Sequence, residues 1–323
     1  MTLLWKKALE ETPEYPQNVF EGQGIVIAAG GEYYLVNALI NLKILRLKGC
    51  TLPVEIWYIG EKEVVPLLME KLEALGAECY DITNHFDYPI KGYEVKPHAI
   101  LASKFKEVML IDADNIVLRD PSYLFQREEY QTKGACFWPD QMIMNKDSIL
   151  WNVLELPPCD FRGQESGQLL VDKERCWKAL HLAAHMNKES DFYYKHMLGD
   201  KDTFFLSFMV TKTPYHMIDY LPGLVFENKS PLCCIGFLQR DLDGKPLFCH
   251  ATNMNWSDRK TLKPIWNFYN LTDKRFSDLN YPFPWSDIPY LTFKSSFGPL
   301  EYRCLALLKK IQEDLSHGKS TVH

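Results

Sequence analysis

Val108-Met109-Leu110-Ile111-Asp112-Ala113-Asp114-Asn115 is a run of four apolar residues that passes directly into two carboxylates. An uninterrupted apolar run of this length reads as a strand buried on both faces, as in a parallel sheet. Two acids one residue apart can aim at one small volume only if the chain turns there, and Asn115 is a good turn former. Ligands of open parallel sheets bind beyond the carboxyl ends of the strands, so this strand delivers Asp112 and Asp114 to the ligand crevice.

The pattern around it repeats upstream. Gly24-Ile25-Val26-Ile27-Ala28-Ala29 is a second buried strand ending in the turn Gly30-Gly31, and Leu35, Ala38, Leu39, Leu42 and Leu45 follow at helical spacing up to Gly49. Val54 to Ile59 is a further strand, and Val64, Leu67, Leu68, Leu72 and Leu75 mark a second amphipathic helix closed by Gly76. Alternation of this kind predicts an α/β fold, a mostly parallel sheet flanked by helices on both faces. A short helix over 97–106 leads into the acid-tipped strand. Further strands are expected over 135–138 and 168–171, with a helix over 202–211. After Asp219 the pattern loosens into Pro- and aromatic-rich stretches, Pro282 to Trp285 and Pro289-Tyr290, before a last helix near 300–315. No internal repeat or low-complexity linker interrupts the chain, which predicts one main unit over 22–260, preceded by an extension (1–21) and followed by a less regular one (261–323) packed on it.

Composition narrows the function. A net charge of −6 with both signs intermixed excludes the broad positive field of a nucleic-acid binder. The nine cysteines lack C-x-x-C spacing, and several sit in apolar runs such as Ala135-Cys136-Phe137, which fits reduced core thiols. Asn-x-Ser/Thr triplets begin at Asn228, Asn255 and Asn270, of which chance supplies one or two, so they carry no conclusion about secretion. Met1 to Glu21 has neither a signal peptide's apolar centre nor the length of a membrane span, and no later segment reaches eighteen uncharged apolar residues. The expectation is a soluble protein without an integral membrane segment, cytoplasmic in preference to lumenal or secreted. Oligomeric state is open.

One hard divalent ion would justify paired acids at a strand end. Such an ion takes oxygen ligands, commonly one or two carboxylates plus phosphate oxygens of a substrate. Asp-x-Asp alone is common, and a turn whose acids cap backbone N–H groups is the plain alternative. A carboxylate-metal phosphohydrolase would need further ligands for a second ion, and no other dense cluster stands out.

The context decides between them. Lys96-Pro97-His98-Ala99-Ile100-Leu101-Ala102-Ser103-Lys104-Phe105-Lys106-Glu107, continuing through Asp114, resembles the catalytic domain of retaining glycosyltransferases of the GT-A fold. The resemblance is strongest to fungal-type α-mannosyltransferases that build mannan side chains, and more distant to glycogenin and the bacterial lipopolysaccharide galactosyltransferases. It covers roughly Gly24 to Trp256, with three further blocks in the expected order: Glu165 to Val171, Gly199-Asp200-Lys201-Asp202-Thr203-Phe204, and Phe248-Cys249-His250-Ala251-Thr252-Asn253.

The resemblance implies that Asp112, Asp114 and His250 bind the ion. An imidazole in the set favours Mn²⁺, with Mg²⁺ as the alternative. It implies that Glu165 and Gln168 line the side of the donor sugar, and that Asp200 and Asp202 hold sugar and acceptor hydroxyls. Lys96 and Lys104 are candidates for the donor phosphates, Gly30 and Gly31 for close approach of the nucleotide, and Tyr33 or Tyr34 for stacking on the base. Lys201 stands where the distant bacterial relatives usually carry an amide. The implied function is transfer of a sugar, GDP-mannose favoured over UDP-glucose or UDP-galactose as donor, to a glycan or other hydroxyl acceptor with retention. A non-catalytic nucleotide- or glycan-binding relative is the rival reading.

Overall fold

The computed structural model describes residues 2–159, 162–230, 234–252, 255–272, 275 and 288–320. Its thirteen described strands are β1 (Gln23–Ala28), β2 (Val54–Tyr58), β3 (Ala77–Asp81), β4 (Glu107–Ile111), β5 (Asn115–Val117), β6 (Ala135–Ile143), β7 (Arg162–Asp172), β8 (His216–Met217), β9 (Gly223–Phe226), β10 (Cys234–Arg240), β11 (Pro246–His250), β12 (Phe268–Asn270) and β13 (Leu291–Thr292). Seven of them form one sheet in the order β3-β2-β1-β4-β7-β6-β8. The half from β3 to β4 is wholly parallel, β7 runs antiparallel to both of its neighbours, and β8 is again parallel to β6. This is the mostly parallel sheet that the sequence predicts.

Strand pleating sends successive side chains to opposite faces, and both faces are apolar because helices cover both. Ile25, Ile27, Met109 and Ile111 pack with Leu35, Leu39 and Leu42 of the helix Gly31–Leu47. Val26, Val108 and Leu110 face the other way, onto Ala99 and Ile100 of the helix Val95–Ala102 and Leu180 and Ala183 of the helix Lys173–Lys188. The helix expected from Val64 onward is split. A 3₁₀ turn, Glu61–Glu63, comes first, and the α-helix Pro66–Glu73 starts at Pro66, whose fixed φ suits the first turn and whose missing N–H costs nothing there. The helix expected over 97–106 begins two residues earlier and stops at Ala102.

The region beyond Asp219 is more ordered than its sequence implies. Strands β9 to β13 join β5 in a second sheet, order β13-β12-β9-β10-β11-β5, antiparallel throughout. Its members are short, two residues in β13 and seven in β10, and the register shifts at Gln239/Arg240 and at Cys234/Gly236. Strands this short and bulged leave no sustained period to read. The stretch Pro282 to Trp285, Cys233 and Asn253 lie outside the described residues. The final helix, Leu300–Ser320, is fastened by a buried pair, Arg259 Nη2 to Glu301 Oε1 at 3.1 Å, and Glu301 also accepts from the backbone of Ile265 (2.7 Å) and Trp266 (2.9 Å). Cys50, Cys136, Cys176, Cys249 and Cys304 are free thiols inside the core, as the apolar runs around Cys136 and Cys249 predict for those two, and Cys79 is a partly buried one.

Candidate active site

The two sheets meet at the acid pair. β4 ends at Ile111, the chain turns through Asp112-Ala113-Asp114, and β5 departs into the second sheet. Asn115 closes the turn, its backbone N–H donating to Asp112 O at 3.0 Å and its side-chain amide to Gly167 O at 2.8 Å. Asn41, from the helix Gly31–Leu47, holds Asp112 O from the other side at 3.1 Å. The β5–β11 register then brings in a third group, because Asn115 pairs with His250 and so the imidazole arrives beside Asp114.

His250 Nε2 lies 3.2 Å from Asp114 Oδ1 and 3.7 Å from Asp112 Oδ2, and one donor atom from each of the three residues falls within 4.8 Å of the others. The opposite ring nitrogen, Nδ1, is 2.9 Å from Glu165 Oε1. Glu165 is itself fixed by Gly167 N–H (2.9 Å) and the Gln168 side-chain amide (3.0 Å). A carboxylate behind a ligating histidine orients the ring and selects its tautomer. Burial opposes charge at both groups, yet the His250 contact overrides it at Glu165 and holds that carboxyl down at about 2. Burial likewise lowers His250, but Asp114 and Glu165 outweigh it and lift the imidazole well above its ordinary value.

On the other side, Lys96 Nζ is 2.8 Å from Asp112 Oδ2 and 3.4 Å from Asp200 Oδ2. Burial would depress this ammonium, but Asp112 and Asp200 reverse the effect and raise it. With His250 neutral, as a ligating imidazole must be, the four carboxylates Asp112, Asp114, Glu165 and Asp200 against the one cation Lys96 leave three negative charges in a largely buried cluster. That residue of charge, with two carboxylate oxygens and one imidazole nitrogen converging, fits a divalent cation of the Mn²⁺ type.

The cluster forms one wall of a cleft of about 540 Å³ at the carboxyl ends of β1, β2 and β4. Of the residues singled out from sequence, Gly30, Lys96, Asp112, Asp114, Asp200 and His250 line it. Gly30 is needed because Glu63 packs on it: a Cβ would fall 1.8 Å from Glu63 Oε2. Gly31 has φ +68° and opens the following helix instead of lining the cleft.

Other expected residues sit elsewhere. Lys104 pairs with Glu78 on the surface, so it is not brought to the site. Tyr33 stands at the rim with its hydroxyl donating to Asp258 Oδ2 at 2.7 Å, while Tyr34 faces the cleft. Glu165 and Gln168 lie beneath the floor, where Gln168 accepts from Asn115 (2.6 Å) and is fully buried. Asp202 is turned into the protein and accepts from Gln164 N–H at 3.2 Å, and burial pushes its carboxyl up to about 6.

Sequence reasoning missed Asn255, Ser166 and Trp57. The Asn255 amide nitrogen donates to Asp114 Oδ2 at 2.5 Å and Ala251 O at 3.0 Å. Ser166 Oγ donates to Asp200 Oδ2 at 3.2 Å. Trp57, stacked on Tyr80 at 5.0 Å, forms part of the cleft wall below. Asn255 had one usable signal, its place five residues after His250.

A mostly parallel sheet whose central strand ends in an acid pair, completed by an imidazole from a second sheet, is the arrangement that the resemblance to GT-A glycosyltransferases implies. The family model described as "Mannosyltransferase putative" matches residues 22–155 and 160–230. The chain belongs to that mannosyltransferase family.

Among curated proteins, alpha-1,2-mannosyltransferase MNN21 of Candida albicans is 26% identical over 274 residues, 66% of this chain and 41% of its own. Alpha-1,2-mannosyltransferase MNN2 of Saccharomyces cerevisiae is 27% identical over 240 residues, 58% of this chain and 40% of its own. The chain thus spans about two fifths of the length of these relatives. Among solved structures, the galactosyltransferase LgtC with donor and acceptor sugar analogues aligns over 88% of this chain and 95% of its own, at 10% identity and TM-score 0.47. The mannosyltransferase Ktr4p of S. cerevisiae with GDP aligns over 67% and 76%, at 12% identity and TM-score 0.42. The cytoplasmic placement expected from sequence is contradicted by the curated relatives, which are fungal alpha-1,2-mannosyltransferases. Among the described residues no helix is long and apolar enough to cross a membrane.

Proposed function

We propose that this chain transfers mannose from GDP-mannose to a glycan hydroxyl, with retention, using a divalent cation of the Mn²⁺ type held by Asp112, Asp114 and His250. The observation that carries the reading is the convergence of those three donor groups within 4.8 Å, on a cleft at the carboxyl ends of the parallel strands of a mannosyltransferase-family chain. When bound, the ion would offset the charge that builds on a departing nucleoside diphosphate.

The protein groups around it have separable tasks. Glu165 positions His250 and keeps Nδ1 engaged, so Nε2 is the nitrogen presented to the site. Lys96, placed between Asp112 and Asp200, is a point charge within the cleft for the donor phosphates. Asp200, steadied by Ser166, is the acid of the Gly199-to-Phe204 segment that faces the cleft, and it is assigned to sugar and acceptor hydroxyls. Asp202, buried on Gln164 N–H, supports the segment from behind.

The test is a screen of GDP- and UDP-sugars for hydrolysis and transfer, with Mn²⁺ present and after chelation. Metal-dependent release of GDP from GDP-mannose is expected. Turnover of UDP-hexoses alone would reassign the donor, and nucleotide uptake without any turnover would make the chain a binding relative.

A further inference from the structure

An open groove of about 630 Å³ adjoins the cleft and shares Gly92 and Tyr93 with it. One wall is the 3₁₀ turn Gly92–Glu94, and the other is the segment from Ser190 to Lys195. Buried Glu94 ties the two walls together, accepting from Lys91 N–H at 3.1 Å and from Ser190 Oγ at 2.6 Å. The groove is therefore held in shape before any ligand arrives, which lowers the ordering cost of binding.

Its chemistry differs from that of the cleft. The charged lining residues are two bases, Lys91 and Lys195, and two acids, Glu94 and Asp191, so the groove has no net charge and nothing that favours a nucleotide phosphate. Lys91 and Asp191 already face each other at 3.1 Å. Balanced donors and acceptors beside an aromatic ring suit a neutral polyhydroxylated ligand, whose C–H faces pack on the ring and whose hydroxyls meet the rim. Tyr93 is that ring. It is 52% exposed, it rests against Gly199, where a Cβ would be 3.5 Å from its Cδ2, and Lys96 Nζ lies 5.7 Å from its centroid. Leu198, 65% exposed, and Tyr34, 43% exposed, complete an apolar rim at the cleft mouth.

We infer that this groove is the acceptor subsite: an oligosaccharide lies in it and crosses Tyr93, which places its terminal sugar in the cleft beside Asp200. The inference rests on the transferase reading for its reaction, while binding in the groove can be measured without one.

A short linear α-linked manno-oligosaccharide is titrated into the full chain in the absence of donor, with GDP titrated into the same samples as a check of the fold. Tyr93→Ala is expected to weaken oligosaccharide binding about tenfold and Tyr93→Phe to restore most of it, since the ring face is the contact. Asp191→Trp, at an exposed wall position, should block the groove to a similar extent. In transfer assays the acceptor KM should rise in step. Wild-type oligosaccharide affinity in both Tyr93→Ala and Asp191→Trp, or no binding by the wild type, overturns the assignment. The same binding pattern in a protein without turnover keeps the groove and removes the transferase reading. Transfer with an acceptor KM unmoved by both changes does the reverse.

Discussion

Gly167 lacks a side chain because His250 fills the space where one would start. A Cβ there would lie 2.3 Å from His250 Nδ1 and 2.9 Å from Glu165 Oε1, so the imidazole and its orienting carboxylate can pair only over a bare backbone. Gly167→Ala is expected to push the ring off Glu165 and weaken Mn²⁺ binding roughly 10- to 100-fold, the usual loss when an outer partner of a metal ligand is disturbed. Titration of Mn²⁺ into the variant checks this, and unchanged affinity would show that the dyad does not orient the ligand. At this scale the sequence was legible where a residue type has few uses. Asp112 and Asp114 announced themselves at the end of an apolar run, and resemblance placed His250 with them. Side-chain direction was not legible. Glu165 and Gln168 sit in one strand with Ser166, but only Ser166 among the three lines the cleft. Lys104 lies eight residues beyond Lys96, and its ammonium meets Glu78 on the surface instead of a phosphate site.

The element that makes the site is the crossing from β4 to β5. β4 belongs to the parallel sheet and β5 to the antiparallel one, and the acid pair is the turn between them. The apolar run of β4 was plain from sequence. The three-residue β5 and its partner β11 were not, because strands so short have no period of their own and exist through pairing. The helix Val95–Ala102 couples the site to stability. It carries Lys96 toward the acids and His98 away from them. His98 is fully buried, with Nδ1 2.7 Å from Glu94 O and Nε2 3.0 Å from the Tyr88 hydroxyl.

Burial pushes the His98 imidazole down to about 4, whereas in an unfolded chain it titrates near 6.5. Between those values the unfolded state binds the extra proton, so the contribution is complete above pH 6.5 and is lost as pH falls toward 4, by about 3 kcal/mol. Unfolding midpoints of the wild type and His98→Gln, followed from pH 7 to pH 4, should converge as the solution is acidified. A constant gap between them would mean that His98 does not titrate on unfolding.

At the scale of the whole molecule, one sheet supplies the cleft and the other supplies the group that completes it. The parallel sheet was predicted from four alternating strands and helices, and its half from β3 to β4 matches that reading. The second sheet was invisible to periodicity, yet it carries His250, and its strands β12 and β13 come from the region read as an irregular extension. The buried Arg259–Glu301 pair joins the last helix to the loop that follows Asn255, so the C-terminal region is bound to the site through a few residues. Removing one partner of such a pair is costly because it strands the other charge.

The proposed function turns on a cation shared between protein and nucleotide. The most direct measurement is GDP affinity of the full chain with Mn²⁺ and after exhaustive chelation, repeated for Asp114→Asn. The account predicts that Mn²⁺ tightens GDP binding by about tenfold or more, and that the substitution abolishes most of that gain while leaving the metal-free affinity in place. Equal GDP affinity with and without the metal, or an undiminished gain in Asp114→Asn, would contradict it.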